Sequence, residues 1–392
     1  MSLGRTAVVL IDRMAGTCGP EAEAVTRDLG FDCHDVNPVV SFHNPADLAS
    51  WTMPILELLI ISGAVFALVH AIRRFRGEGD PTNLALWFAS LAYLAVTEPP
   101  LYFPEWFGLD EIYGFIFAHN QFTVQFMDDR LPLYIVAFYP AISALAYEIV
   151  RTIGVFARRG PFIGAVCVAF VAQVFYEIFD HLGPQLKWWA WNQDNEQVNH
   201  PMLASVPMTS MVMFASVSIG FLTYLVVRWV GPGRSEGQLS GMAITGRSIA
   251  AGVLTPLGML VAGVPSSLFG GDSPNVTAQA WILGVELGLV WLVGGWLLLR
   301  EARSEPAQGA IPMSRFVAIF PIAYLVVHAG LWLASLSEFL DAERGITDAG
   351  TPIGSGLYVT LCFLGATGVL VILFKDRRRI RDTDRPEARV AI

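Results

Sequence analysis

Charge is scarce in this chain. Of 392 residues only 15% are Asp, Glu, Lys or Arg, against about 25% in an ordinary soluble domain. Hydrophobic residues make up 54% and the mean hydropathy is +0.52. That balance argues against both a soluble multi-domain enzyme and a disordered chain. Positive charge is in deficit as well. The net charge is −9, so the basic surface that phosphates require is missing and no nucleic-acid partner is expected. Lysine is nearly absent, with only Lys187 and Lys375. Both fall outside the apolar runs, which excludes a retinal Schiff base in a late span. The four cysteines include no C-x-x-C pair, and H-E-x-x-H, Walker A and G-x-S-x-G patterns are lacking. Zincin, P-loop and serine-elbow chemistries therefore have no footing.

What is present is a series of long apolar runs. A bilayer-crossing helix takes about 20 apolar residues, and nine segments qualify: 53–72, 82–103, 131–150, 161–181, 203–229, 248–269, 279–299, 316–337 and 354–374. A tenth, 111–127, is broken by His119, Asn120 and Gln121 and reads as a re-entrant or interfacial helix. The expected fold is an all-α polytopic integral membrane bundle of about nine transmembrane helices plus that one. It divides into an N-terminal tail (1–52), a transmembrane domain (53–374) and a basic tail (375–392). With nine spans, nineteen basic residues fall on one side and six on the other. The positive-inside rule then places the N-terminus outside and the C-terminus in the cytoplasm. Cys18 and Cys33 lie in the outer tail, where a bridge is permitted; spacing alone leaves it open. Trp51, Trp106, Trp188, Trp189, Trp191 and Trp281 fall near outer ends, where indole rings favour the interface.

Ionisable residues inside spans are costly and point to function by default. The densest group is Gln173, Glu177, Asp180 and His181. Gln173, Glu177 and His181 recur at i, i+4 and i+8, with Asp180 three residues after Glu177, so the four are expected to share one face. Two nearby carboxyls suit general acid–base catalysis, so Glu177, Asp180 and His181 are the candidate catalytic residues. Glu-x-x-x-His can also supply two ligands to a divalent metal; were one bound, Glu177, Asp180, His181, His119 and His328 would be the candidates. The polar lining of an outward-facing cavity is expected from Glu57, Glu98, His119, Asn120, Gln173, Glu286 and His328. Trp188, Trp189, Trp191 and Asn192 would add an aromatic wall able to face a cation. Each has a plain structural alternative: helix-to-helix glue for the acids, an interfacial anchor for the tryptophans and a loop turn for His119–Asn120–Gln121. Glu148 and His70 lie near the inner ends beside Arg151 and Arg73 and read as paired structural groups.

The segment 177–207 carries an acid near a helix end, Gly183, the aromatic stretch Trp188–Trp189–Ala190–Trp191, then Pro201-x-Leu203-x-x-Val206–Pro207. It resembles the carotenoid-biosynthesis membrane hydratases over those 30 or so residues, with Ser205 where the family has Gly and a Trp-rich stretch where it has Tyr. The resemblance implies acid-assisted chemistry on an isoprenoid double bond, with Glu177 or Asp180 as proton donor. The expectation is an intramembrane enzyme acting on a lipid or isoprenoid, with membrane lipid and an apolar small molecule as partners. A proton-coupled transporter or receptor, or a membrane scaffold, is the alternative.

Overall fold

A computed structural model describes residues 18–232, 239–271, 273–303 and 313–383. Its frame is nine helices long and apolar enough to cross a membrane: α2 (Thr52–Glu78), α3 (Thr82–Tyr102), α4 (Leu133–Ile153), α5 (Val155–Asp180), α6 (Ser210–Trp229), α7 (Gly241–Ser267), α8 (Val276–Arg303), α9 (Arg315–Ala334) and α10 (Gly356–Thr383). The protein is a multi-pass membrane bundle. Each apolar run expected from sequence overlaps one of these helices over most of its length. A short helix, α1 (Pro20–Leu29), precedes them.

The helix ends follow local chemistry. Ser240, Asn275 and Ser314 cap α7, α8 and α9 by accepting the backbone N–H three residues on, which satisfies donors the first turn leaves over. α5 holds one break. Gly160 has φ 78° and Pro161 follows it, so the membrane-crossing part starts at a proline suited to a first helical position. The first nine residues of α6, Ser210–Ser218, wind as a π-helix, a form that concentrates at functional sites.

α4 and α5 form the buried centre of the bundle. Nearly every residue of α4 is buried, from Tyr134 to Ile153, because α2, α3 and α5 all pack on it. α7 through α10 lie outside this centre. Leu260, Val261, Leu292, Val326 and Leu364 on them are exposed, as lipid-facing residues of a bundle would be. α7 presses on α3 through Gly252, where a Cβ would stand 2.4 Å from the Ala89 carbonyl oxygen.

The segment 111–127 departs from the expected helix. Only one turn, Asp110–Tyr113, is helical; Phe117–His119 and Val124–Phe126 pair as strands. β1 (Val40–Phe42) runs antiparallel to β3 (Val124–Phe126), which pairs with β4 (Leu131–Pro132). β2 (Phe117–His119) runs antiparallel to β5 (Trp189–Trp191), with Phe117 opposite Trp191 and His119 opposite Trp189. Aromatic and β-branched residues favour this pairing, and Met127, Asp128 and Asp129 turn the chain with positive φ. Strands also replace the start of the fifth expected span, since Met202–Leu203 pairs with Val206–Pro207 before α6 begins.

These strands and α1 make a cap over one end of the bundle. Cys18 and Cys33 are disulfide-bonded, with Cα atoms 5.7 Å apart, and the bridge ties the segment before α1 to the one after it. The cap is stitched by side-chain amides. Asn120 donates to the Leu29 and Lys187 carbonyls at 3.0 and 2.8 Å, and Asn192 donates to Glu21 and to the Phe115 carbonyl at 2.8 and 2.9 Å. At the opposite end α10 runs on as far as Thr383, into the basic tail expected from 375; residues 384–392 lie outside the described residues.

Candidate functional site

Beneath the cap lies a cavity of about 110 Å³. The ends of α3, α4, α5 and α6 form its walls. α3 contributes Glu98 and Leu101, α4 contributes Ile135, Phe138 and Tyr139, α5 contributes Tyr176, Phe179 and Asp180, and α6 contributes Ser210 and Phe214. Its roof is the β2–β5 pair, through Phe117, His119, Trp189 and Trp191.

Two carboxylic acids from different helices reach this space. Glu98 sits just before Pro99 and Pro100 and accepts a short hydrogen bond from the Tyr139 hydroxyl. Asp180 ends α5 and accepts from the Ser210 hydroxyl at 3.5 Å. Above them His119 is buried, with Nδ1 3.0 Å from the Tyr134 hydroxyl. Phe117, Tyr102, Tyr134 and Trp189 surround its ring at centroid distances of 5.4–6.0 Å. Burial among these rings lowers its pKa from 6.5 to about 3, so the imidazole is neutral at physiological pH. The remaining walls are aromatic faces, which favour an apolar guest and, where charge develops, a cationic one.

The four polar residues in the last turns of α5 and at its C-cap, His181, do not share one face. Tyr176 and Asp180, four apart, turn to the cavity. Gln173, Glu177 and His181 turn toward α10, where Gln173 donates to the Tyr358 hydroxyl at 3.0 Å and His181 Nε2 lies 3.4 Å from Glu177 Oε2. Three residues advance an α-helix by about 300°, which places Asp180 about 60° round from Glu177. That rotation is enough to separate the two acids.

The donors do not converge on a divalent metal. Among the described residues, only Cys18, Asp32, Cys33 and His34 bring three or more such ligand atoms within 4.8 Å of one another, and the two cysteines are bonded to each other. His181 also has an unsuitable tautomer. Its Nδ1 accepts the Ser355 backbone N–H at 3.1 Å, so the ring proton sits on Nε2, the atom that faces Glu177. A metal-bound imidazole has the reverse arrangement, donating its second N–H outward.

The other expected residues serve different ends. Glu57 accepts from the Thr123 hydroxyl and holds the cap strand β3 onto α2. Trp188 donates to Thr52 Oγ1 at 3.0 Å and stacks on Phe179, behind the cavity wall. Asn120 and Asn192 are the cap stitches already described. His328 gives Nδ1–H to the Tyr324 carbonyl at 2.9 Å and stacks on that ring. Glu286 is half-buried on α8 and does not line the cavity. Of the expected lining, the structure brings together Glu98, His119, Asp180, Trp189 and Trp191. The reading missed Tyr139, Tyr176, Ser210 and Phe214. The signal for Tyr176 was its i, i+4 spacing with Asp180.

Comparison with protein-family models, with curated proteins and with solved structures finds no match.

Proposed function

We propose that this protein is an intramembrane enzyme that acts on a lipid or isoprenoid by carboxyl acid–base chemistry. The observation that carries the reading is the arrival of Glu98 and Asp180, from two helices, in one aromatic-walled cavity. In the reaction class that the hydratase resemblance implies, one acid protonates an alkene carbon. Water captures the cation so formed, and the second carboxylate takes the proton that water releases, so the net change is addition of one water. The faces of Phe138, Phe179, Trp189 and Trp191 would steady the cation. Asp180 takes the role that the resemblance left between Glu177 and Asp180, because Asp180 is the one that lines the cavity.

The cap is assigned to the extracytoplasmic side. The basic loops gather at the far end, and the Cys18–Cys33 bridge suits an oxidising compartment. The far end also weighs against a proton-coupled transporter. There Glu148 is buried and held by His70, Arg74 and Arg151, so it is no mobile counterpart to the acids of the cavity.

The test compares lipid extracts of membranes containing the wild-type chain with those containing Asp180→Asn or Glu98→Gln. A lipid species consumed or formed in the wild type and unchanged in both folded variants is the expected result. Identical profiles in all three would reject the enzymatic reading and favour a scaffold.

A further inference from the structure

We propose that Glu177 and Gln173 hold a small monovalent cation of the sodium class inside the bundle, apart from the cavity and between α5 and α10. The argument starts from an unbalanced charge. Glu177 is 0% exposed, and neither carboxylate oxygen has a hydrogen-bond partner. A carboxylate taken out of water is stable only when paired, coordinated or protonated. Its one ion-pair partner among the described residues is His181, and that ring is neutral, because Nδ1 accepts the Ser355 N–H. No positive charge among the described residues therefore answers Glu177. The contrast with Glu148 in the same bundle is direct, since two arginines and His70 surround it.

The neighbouring groups are those a hard cation uses. Gln173 stands one turn before Glu177 and is itself 0% exposed. Its Nε2 is committed to the Tyr358 hydroxyl, and its Oε1 has no partner. Tyr358 is fixed in turn, because it also accepts the Trp291 indole N–H at 3.2 Å. The result is a held amide oxygen one helical turn from a carboxylate whose nearest donor, the His181 Nε2–H at 3.4 Å, carries no charge. Oxygen donors select hard cations, and one formal negative charge is balanced by one positive. A divalent ion would leave an uncompensated charge in the interior. Exchanging the oxygen and nitrogen of the Gln173 amide would give Glu177 one donor and still no positive charge.

This site is independent of the lipid chemistry proposed for the cavity, because Asp180 and Glu98 take no part in it. The full chain, purified in detergent, is melted in sodium, potassium and choline chloride at equal ionic strength. A ligand that binds the folded state raises the midpoint in a saturable way. The expected result is a saturable rise in the wild type with sodium, or with sodium and potassium alike, over choline. The rise should vanish in Glu177→Gln, need several-fold more salt in Gln173→Leu, and persist in Asp180→Asn. Equal midpoints in sodium and choline for the wild type would overturn the proposal and leave a proton as the neutralising partner. That comparison stands even if Glu177→Gln fails to fold. A rise that survives in Glu177→Gln, or disappears in Asp180→Asn, would also overturn it by placing the ion elsewhere.

Discussion

Replacing Arg74 with Met should destabilise the bundle by about 3 kcal/mol, near the lower end of the cost of breaking a buried ion pair. Arg74 lies on α2 and Glu148 on α4, with side chains 6% and 0% exposed, so little solvent screening discounts the pair. Arg74 Nη1 donates to Glu148 at 3.0 Å and to Asn83 at 3.0 Å, and the guanidinium also reaches Asp80 and Glu78. Removing it leaves Glu148 with Asn83 at 2.8 Å, His70 at 3.1 Å and Arg151 at 3.4 Å. These remaining partners keep the loss from the upper end of the range. Glu148→Gln alone should cost less, because Arg74 keeps Asp80 and Glu78. The double variant should then be more stable than the sum of the single losses by at least about 1 kcal/mol, since contacting charges couple. Unfolding in detergent, followed by tryptophan fluorescence, measures all four corners of this cycle. Strictly additive losses, or an Arg74→Met protein as stable as wild type, would refute the claim that this network pins α2 and α3 to α4.

Three further outcomes follow from the cap and the packing. Cys18→Ser/Cys33→Ser should destabilise the cap by about 3 kcal/mol on the chain-entropy account of a 15-residue loop, seen as faster proteolysis near α1; an unchanged cleavage rate would count against it. His119, with a folded pKa near 3 against 6.5 unfolded, binds fewer protons when folded. Stability should therefore be complete above pH 6.5 and fall by about 1.4 kcal/mol per pH unit as pH drops below it. That part of the slope in a melting series from pH 7 to pH 5 should disappear in His119→Gln, and its survival would refute the assignment. Gly252→Val should cost at least about 1–3 kcal/mol by overpacking α7 against α3, because the atoms it meets include the Ala89 carbonyl and the Tyr93 amide, which are backbone and cannot turn aside; a thermal scan reads the loss.

The nine spans were legible because hydropathy integrates over about 20 residues and tolerates errors at the ends. The cap was not, because its strands pair with distant partners. Phe117–His119 meets Trp189–Trp191, and Val124–Phe126 meets Val40–Phe42, and neither partnership leaves a mark in the local pattern of 111–127. The acids of α5 were legible as residues but not as directions. Asp180 and Glu177 look adjacent at a spacing of three, yet which one meets a void depends on where α4, α6 and α10 stand around the helix. Glu286 and His328 were picked for chemical type at membrane depth. His328 is accounted for by its own backbone, through the Tyr324 carbonyl.

The two ends of the bundle handle buried charge in opposite ways, and the difference limits where chemistry can occur. At the far end, carboxylates are matched by arginines. Glu148 has Arg74 and Arg151, and Glu301 has Arg158 and Arg159 at 2.5 and 2.6 Å. Such groups are locked, since moving one partner exposes the other's charge in a low-dielectric interior. Near the cap, Glu98, Asp180 and Glu177 have hydroxyls, amides or a neutral imidazole as neighbours, and no arginine or lysine among the described residues forms an ion pair with them. A carboxyl held that way exchanges a proton or a cation without breaking a salt bridge. The same sequence thus builds a rigid base from paired charges and leaves unpaired acids at the other end, where the aromatic cavity lies. Thr209, next to Ser210, also lines the cavity, and on the proposed function an arginine there, in Thr209→Arg, should abolish activity while leaving the fold intact. Wild-type turnover of the proposed lipid substrate in that variant would show that the unpaired state of the two acids is incidental.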